Sequence, residues 1–117
     1  MIEGVLYQGL VLPPVRLRQG EAMSDGDYVH SARLLVGSAQ RAGLTSESRV
    51  LDIGCGSGRL ITGLHATHRR VNEYIGLDIK KDVVDWCRGA LTDSKHGSLR
   101  FEWIGMDGLY GHSLALL

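Results

Sequence analysis

The spacing of apolar positions switches between helical and strand periods along the chain, and each switch marks an element. Tyr28, Ala32, Leu35, Ala39 and Ala42 recur at helical spacing and stop at Gly43, which predicts an amphipathic helix opening at Asp25 or Asp27. The polar turn 45–48 leads into Arg49-Val50-Leu51-Asp52-Ile53, a short apolar run ending at Gly54 that reads as a buried strand. Residues 59–67 fit a helix, and after polar residues 68–73 the run Tyr74-Ile75-Gly76-Leu77-Asp78 predicts a second strand. A helix over about 82–91 follows, with Val83, Val84, Trp86, Cys87 and Leu91 on its apolar face. Residues 92–98 read as a loop, and 99–104 as a third strand with Phe101 and Trp103 on one face. Strands alternating with helices in this way predict βαβ units around a parallel sheet. Residues 1–24, with Leu12-Pro13-Pro14 and no sustained period, read as an irregular leader on the surface. Residues 25–117 then form one partial domain whose last stretch, 105–117, predicts no element.

Composition narrows the function classes. At 117 residues there is room for a single core, and thirteen basic against thirteen acidic side chains leave no net field that would favour nucleic acid. The apolar stretch Val5 to Val11 is interrupted by Gln8 and Gly9 and falls far short of the ~20 residues that span a bilayer, so no membrane anchoring is expected. Cys55 and Cys87 show no metal or disulfide spacing and predict a reduced, cytoplasmic protein. His65 and His68 stand three apart without further ligands and read as a solvated helix end, so no metal is expected. Trp86 and Trp103 are expected in the core, and Arg69-Arg70 and Lys80-Lys81 in solvent. Glycine is the outlier: 16 of 117 residues is about twice the usual ~7% and points to tight turns.

The densest cluster of those glycines is Asp52-Ile53-Gly54-Cys55-Gly56-Ser57-Gly58-Arg59, at a strand-to-helix turn. Residues without Cβ allow positive φ there and let a ligand approach the backbone, while the N–H groups of the helix start face it. Twenty residues after Gly58, Asp78 ends the second strand, where a carboxylate can accept ribose hydroxyls at the sheet edge. A dinucleotide fingerprint would need glycine at 54, 56 and 59, but position 59 is Arg. Asp52, two residues before the first glycine, also suits a ligand with positive groups better than a pyrophosphate. Cys55 lies inside the turn, and no histidine is placed in sequence to activate it as a nucleophile.

The segments V-L-D-I-G-C-G-S-G-R-L and Y-I-G-L-D-I resemble the first two motifs of class I, Rossmann-like S-adenosylmethionine-dependent methyltransferases, strongly over residues 49–91. The resemblance implies that Asp52, Gly54, Gly56 and Gly58 hold the methionine part of S-adenosyl-L-methionine, with Cys55 in the same cofactor-binding turn. It implies that Asp78 holds the ribose and Ile79 packs on the adenine. Asp107, or a backbone group near Gly105, would meet the adenine amino group. The expected fold class is α/β, a Rossmann-like parallel sheet with flanking helices, truncated after about three of the family's seven strands. The implied function is methyl transfer to an unidentified acceptor by a fragmentary enzyme. The alternative is a non-catalytic S-adenosylmethionine- or nucleotide-binding remnant that serves as an interaction module. No catalytic residue can be matched, because the acceptor-shaping motif belongs to the fourth strand. The first strand, apolar on both faces, is expected to be covered by a partner chain, by self-association or by a rearranged tail.

Overall fold

A computed structural model describes residues 3–18 and 23–105. Its centre is a three-stranded parallel sheet of β3 (Arg49–Ile53), β4 (Glu73–Asp78) and β5 (Ser98–Trp103), in that spatial order. The crossovers are α2 (Arg59–Ala66) and α3 (Lys81–Ala90), and α1 (Asp25–Arg41) precedes the sheet. The expected α/β alternation is present, with boundaries shifted by no more than about two residues.

The pairing register fixes which side chains share a face, because successive residues of a strand alternate. Leu51 pairs with Ile75 and Ile53 with Leu77, while Gly76 pairs with Phe101 and Asp78 with Trp103. On one face Tyr74 and Phe101 stack at 5.6 Å between ring centroids and join a core made by all three helices. Val36 of α1, Leu60, Ile61 and Leu64 of α2, and Val83, Val84, Trp86 and Cys87 of α3 fill that core. The other face carries Leu51 and Ile53, which remain 50% and 65% exposed, beside half-buried Ile75 and Leu77. No described helix covers it. Toward β5 that bare face turns ionic, with Arg100 and Glu102 paired at 3.0 Å.

Helices α1 and α2 approach closely because residue 63 is glycine: a Cβ there would overlap the Ala32 carbonyl and the Val36 side chain. Helix α1 is capped by Ser24, whose hydroxyl accepts from Asp27 N–H at 3.1 Å, so the expected caps Asp25 and Asp27 sit in the first turn instead. Its buried stripe is Tyr28, Val29, Ala32 and Val36, and Leu35, expected inside, is 41% exposed.

Part of the segment expected as an irregular leader is ordered. Residues Val5–Tyr7 (β1) and Leu10–Leu12 (β2) form an antiparallel hairpin through Gln8 and Gly9, both at positive φ. Leu12 is fully buried against Tyr28 and Val29, which gives the hairpin a small core of its own. The proline pair then leads into a 3-10 turn, Val15–Leu17, and Arg18 is buried with its guanidinium 2.8 Å from Asp25. Trp103 also departs from expectation: it has the parity of Phe101 but lies at the strand's end, 46% exposed rather than in the core.

Candidate functional site

The strand β3 runs directly into the glycine turn, and the turn is built by positive φ at Gly54, Gly56 and Gly58. At these angles a side chain would be strained, and at Gly58 a Cβ would also overlap Leu91 Cδ1. Around Gly54 the space is open, so its backbone is accessible from outside. Gly58 caps α2 with a left-handed conformation and aims the helix start at the same opening.

The turn is held against β4 from two sides. The N–H groups of Gly54 and Cys55 both donate to the Leu77 carbonyl, at 2.7 and 2.9 Å. The Gly56 N–H donates to Asp78 Oδ2 at 2.9 Å, and Asp78 Oδ1 accepts from the Lys80 N–H at 2.8 Å. Asp78 is therefore a buried brace for the turn as well as a carboxylate at the end of its strand. Two accepted bonds use about half of a carboxylate's lone-pair sites, so acceptor capacity remains.

Asp52 is half-buried and accepts from the Tyr74 hydroxyl at 2.8 Å. Burial pushes its carboxyl above the usual range, the Tyr74 bond pulls it back, and the nearby Asp78 adds a further upward push. Tyr74 itself is raised by burial and by Asp52, so it stays a hydroxyl donor. Both thiols are protonated for the same reason: burial and the neighbouring carboxylates raise Cys55 to about 12, and burial raises Cys87. A thiol in that state is a poor nucleophile, which agrees with the reading of Cys55 as part of the turn. The two sulfurs lie 3.5 Å from the Gly56 carbonyl, and Cys55 also fills the space over Gly76.

A cleft of about 160 Å³ opens along the turn, lined by Leu35, Asp52, the turn residues 54–57, Arg59 and Leu60. That is below the ~300 Å³ of an ordinary ligand pocket, so the turn supplies one wall of a site. Behind it, Tyr28 of α1 reaches the Ser57 hydroxyl at 3.0 Å, and the guanidinium groups of Arg18 and Arg59 lie over its ring at 5.5 and 5.4 Å from the centroid. On the other side of Asp78, Ile79 is 48% exposed and Trp103 donates its indole N–H to the Ile79 carbonyl at 2.9 Å. The structure thus brings Asp52, Gly54, Cys55, Gly56, Gly58, Asp78 and Ile79 to the carboxyl end of β3 and β4. Asp107 lies outside the described residues.

Trp103, Tyr28 and Arg59 were not singled out as site residues from sequence. Only the parallel register, which sets Trp103 opposite Asp78, reveals the first. The other two follow from the contact of α1 with the turn.

A family model described as a methyltransferase domain matches residues 44–105, just over half of the chain. The chain belongs to the methyltransferase-domain family. The matched part of this methyltransferase domain contains β3, the glycine turn, Asp78, Ile79 and Trp103, and ends before Asp107. No solved structure matches the chain. Among the described residues no group of three or more His, Cys, Asp or Glu side chains could hold a metal ion, and no helix is long and apolar enough to cross a membrane.

Proposed function

We propose that the chain binds S-adenosyl-L-methionine at the glycine turn and is the cofactor-holding part of a methyltransferase acting on an unidentified acceptor. The observation that carries this reading is the joint position of Asp52, the open Gly54 backbone and Asp78 at the ends of adjacent parallel strands, in a chain of the methyltransferase-domain family.

The residues fit such a ligand. A cation beside Asp52 would favour the ionised carboxylate that burial disfavours. Asp78 keeps lone pairs for hydroxyl groups, and the exposed side chains of Ile79 and Trp103 offer apolar surface beside it. The open turn lets a ligand lie against the Gly54 backbone. When bound, this cofactor supplies a methyl group already activated on a sulfonium, so the protein's part is to align an acceptor and exclude water. The turn, braced by Asp78 and backed by Tyr28 and Ser57, gives the rigid wall that alignment needs.

A second reading is a binding module without transfer, favoured by a site that here has a single wall. The edge of β3, which no described strand pairs, and its exposed apolar face support an association, with a partner chain or a second copy, that would supply the other side. Two free, buried thiols support a reducing, cytoplasmic setting.

Thermal unfolding with S-adenosylhomocysteine tests the cofactor assignment. Ligand at 100 times its Kd should raise stability by ~2.7 kcal/mol. Asp78→Asn and Ile79→Asp should each keep a cooperative transition and lose most of that gain. An unchanged gain in both variants rejects the site. Transfer of labelled methyl across an acceptor panel, lost in Asp78→Asn, separates enzyme from module.

A further inference from the structure

The end of the sheet opposite the glycine turn carries a second concavity, of about 630 Å³. Arg33 of α1, His65 and His68 at the end of α2, and Asp93, Lys95 and His96 of the loop before β5 line it, and the tip of the β1–β2 hairpin closes one side without adding a charge. Five of these six side chains carry or can gain a positive charge. The exception, Asp93, is fully exposed and already accepts from the Lys95 N–H at 2.9 Å.

The two inner histidines make a defined pair. Their rings lie 4.7 Å apart, and the buried Nε2 of His65 has no protein partner. His96 Nδ1 is 2.6 Å from the Arg69 carbonyl. A carbonyl only accepts, so His96 Nδ1 is the donor of this bond. Burial and the neighbouring His96 hold the His65 pKa below its ordinary value, and Asp93 opposes them weakly. Of the expected solvated helix end, His68 is exposed, whereas His65 is half-buried and paired with His96 in a cationic cleft. The cleft shares α1 and α2 with the cofactor site but none of its lining residues.

We propose that this cleft binds a phosphate-bearing anion, with Arg33 and Lys95 as its charge partners and the His65–His96 pair as its floor. A phosphoryl group offers acceptor oxygens on several sides, which matches donors converging from three elements. Its negative charge favours the imidazolium form of His65, which burial disfavours, so binding takes up a proton and tightens as pH falls.

The test is an NMR titration of the full chain with inorganic phosphate at constant ionic strength, reading the imidazole signals. Sulfate serves as an isostere whose charge is constant between pH 6 and 8, and a nucleoside monophosphate as the organic source of the same group. We expect saturable shifts of His65 and His96 with an unmoved His30, which is exposed and outside the cleft. Sulfate should bind several-fold tighter at pH 6 than at pH 8. The double variant Arg33→Gln, Lys95→Gln, at two exposed positions, should bind about tenfold more weakly with an unchanged unfolding transition. Tighter binding of the monophosphate than of phosphate assigns the cleft to a phosphomonoester, and equal binding assigns it to phosphate itself. No saturable shift, an equal shift of His30, or undiminished affinity in the double variant overturns the proposal. None of these outcomes bears on the glycine turn.

Discussion

The two faces of the β3–β4–β5 sheet are built from strands of similar apolar content and meet opposite fates. The covered face holds Val50, Tyr74, Leu99 and Phe101 under three helices, and its line of residues runs out into Asp52, Asp78 and Trp103 at the candidate site. The bare face holds Leu51, Ile53, Ile75 and Leu77 with its ionic margin at Arg100 and Glu102. A parallel sheet is normally covered on both faces, so the apolar quartet of the bare face has no folding role in proportion to its hydrophobicity. All the acids proposed to meet a ligand belong to the covered face. Rigidity and chemistry coincide there, as a wall for a small ligand requires.

Hollowing the covered face should have the largest effect on stability. Phe101 is 5% exposed and stacks on Tyr74, so Phe101→Ala should cost about 3–5 kcal/mol in urea unfolding. A loss under about 1 kcal/mol would mean that the face is not the centre of the core. Next in size is Tyr74→Phe, which keeps the ring and removes the hydroxyl donated to Asp52. A hydrogen bond to a charged group contributes about 1.5–3 kcal/mol, and its loss should also raise the Asp52 pKa further, readable by NMR titration of the carboxyl. An unmoved Asp52 would uncouple the pair.

The covered side also carries a pH signature through His65 on α2. Its pKa is lowered in the folded chain, chiefly by burial, so the unfolded chain binds the proton more readily. The contribution is therefore full above pH 6.5 and is lost as pH falls through that value toward the folded pKa. Stability should decline on acidification across this window, and His65→Gln should flatten the decline. An equal slope in the variant would assign the effect elsewhere.

What the sequence made legible follows the same division. The covered face was readable because its helices are long enough to show a period: Val83, Val84, Trp86 and Cys87 all lie buried as their spacing predicts. The site's location was readable because glycines, an acid before them and an acid ending the next strand can be counted along the chain. The hairpin was not, because three-residue strands show no period and Gln8 is an unusual occupant of a turn that needs positive φ at both positions. Trp103 was misread because strand alternation gives parity but not the strand's end, where cover runs out. Asp78 was read as a ligand group, and its second task as a brace on Gly56 depends on a contact 22 residues apart that no local pattern encodes.

The smallest expected effect tests the bare face. Leu51 is 50% exposed in the middle of β3, so Leu51→Lys removes little burial and should change the unfolding free energy of dilute chain by no more than about 0.5 kcal/mol. The same substitution puts a charge into the apolar quartet beside the strand edge that no described strand pairs, which opposes docking on that face. Sedimentation should therefore separate the proteins where unfolding does not: wild type associating as concentration rises, the variant remaining a monomer. If Leu51→Lys instead cost as much as Phe101→Ala, and the cost grew with protein concentration, the face would already be covered by a second copy in solution. The contrast between the faces would then belong to the isolated chain alone, and the free energy of burying Leu51, Ile53, Ile75 and Leu77 would belong to assembly.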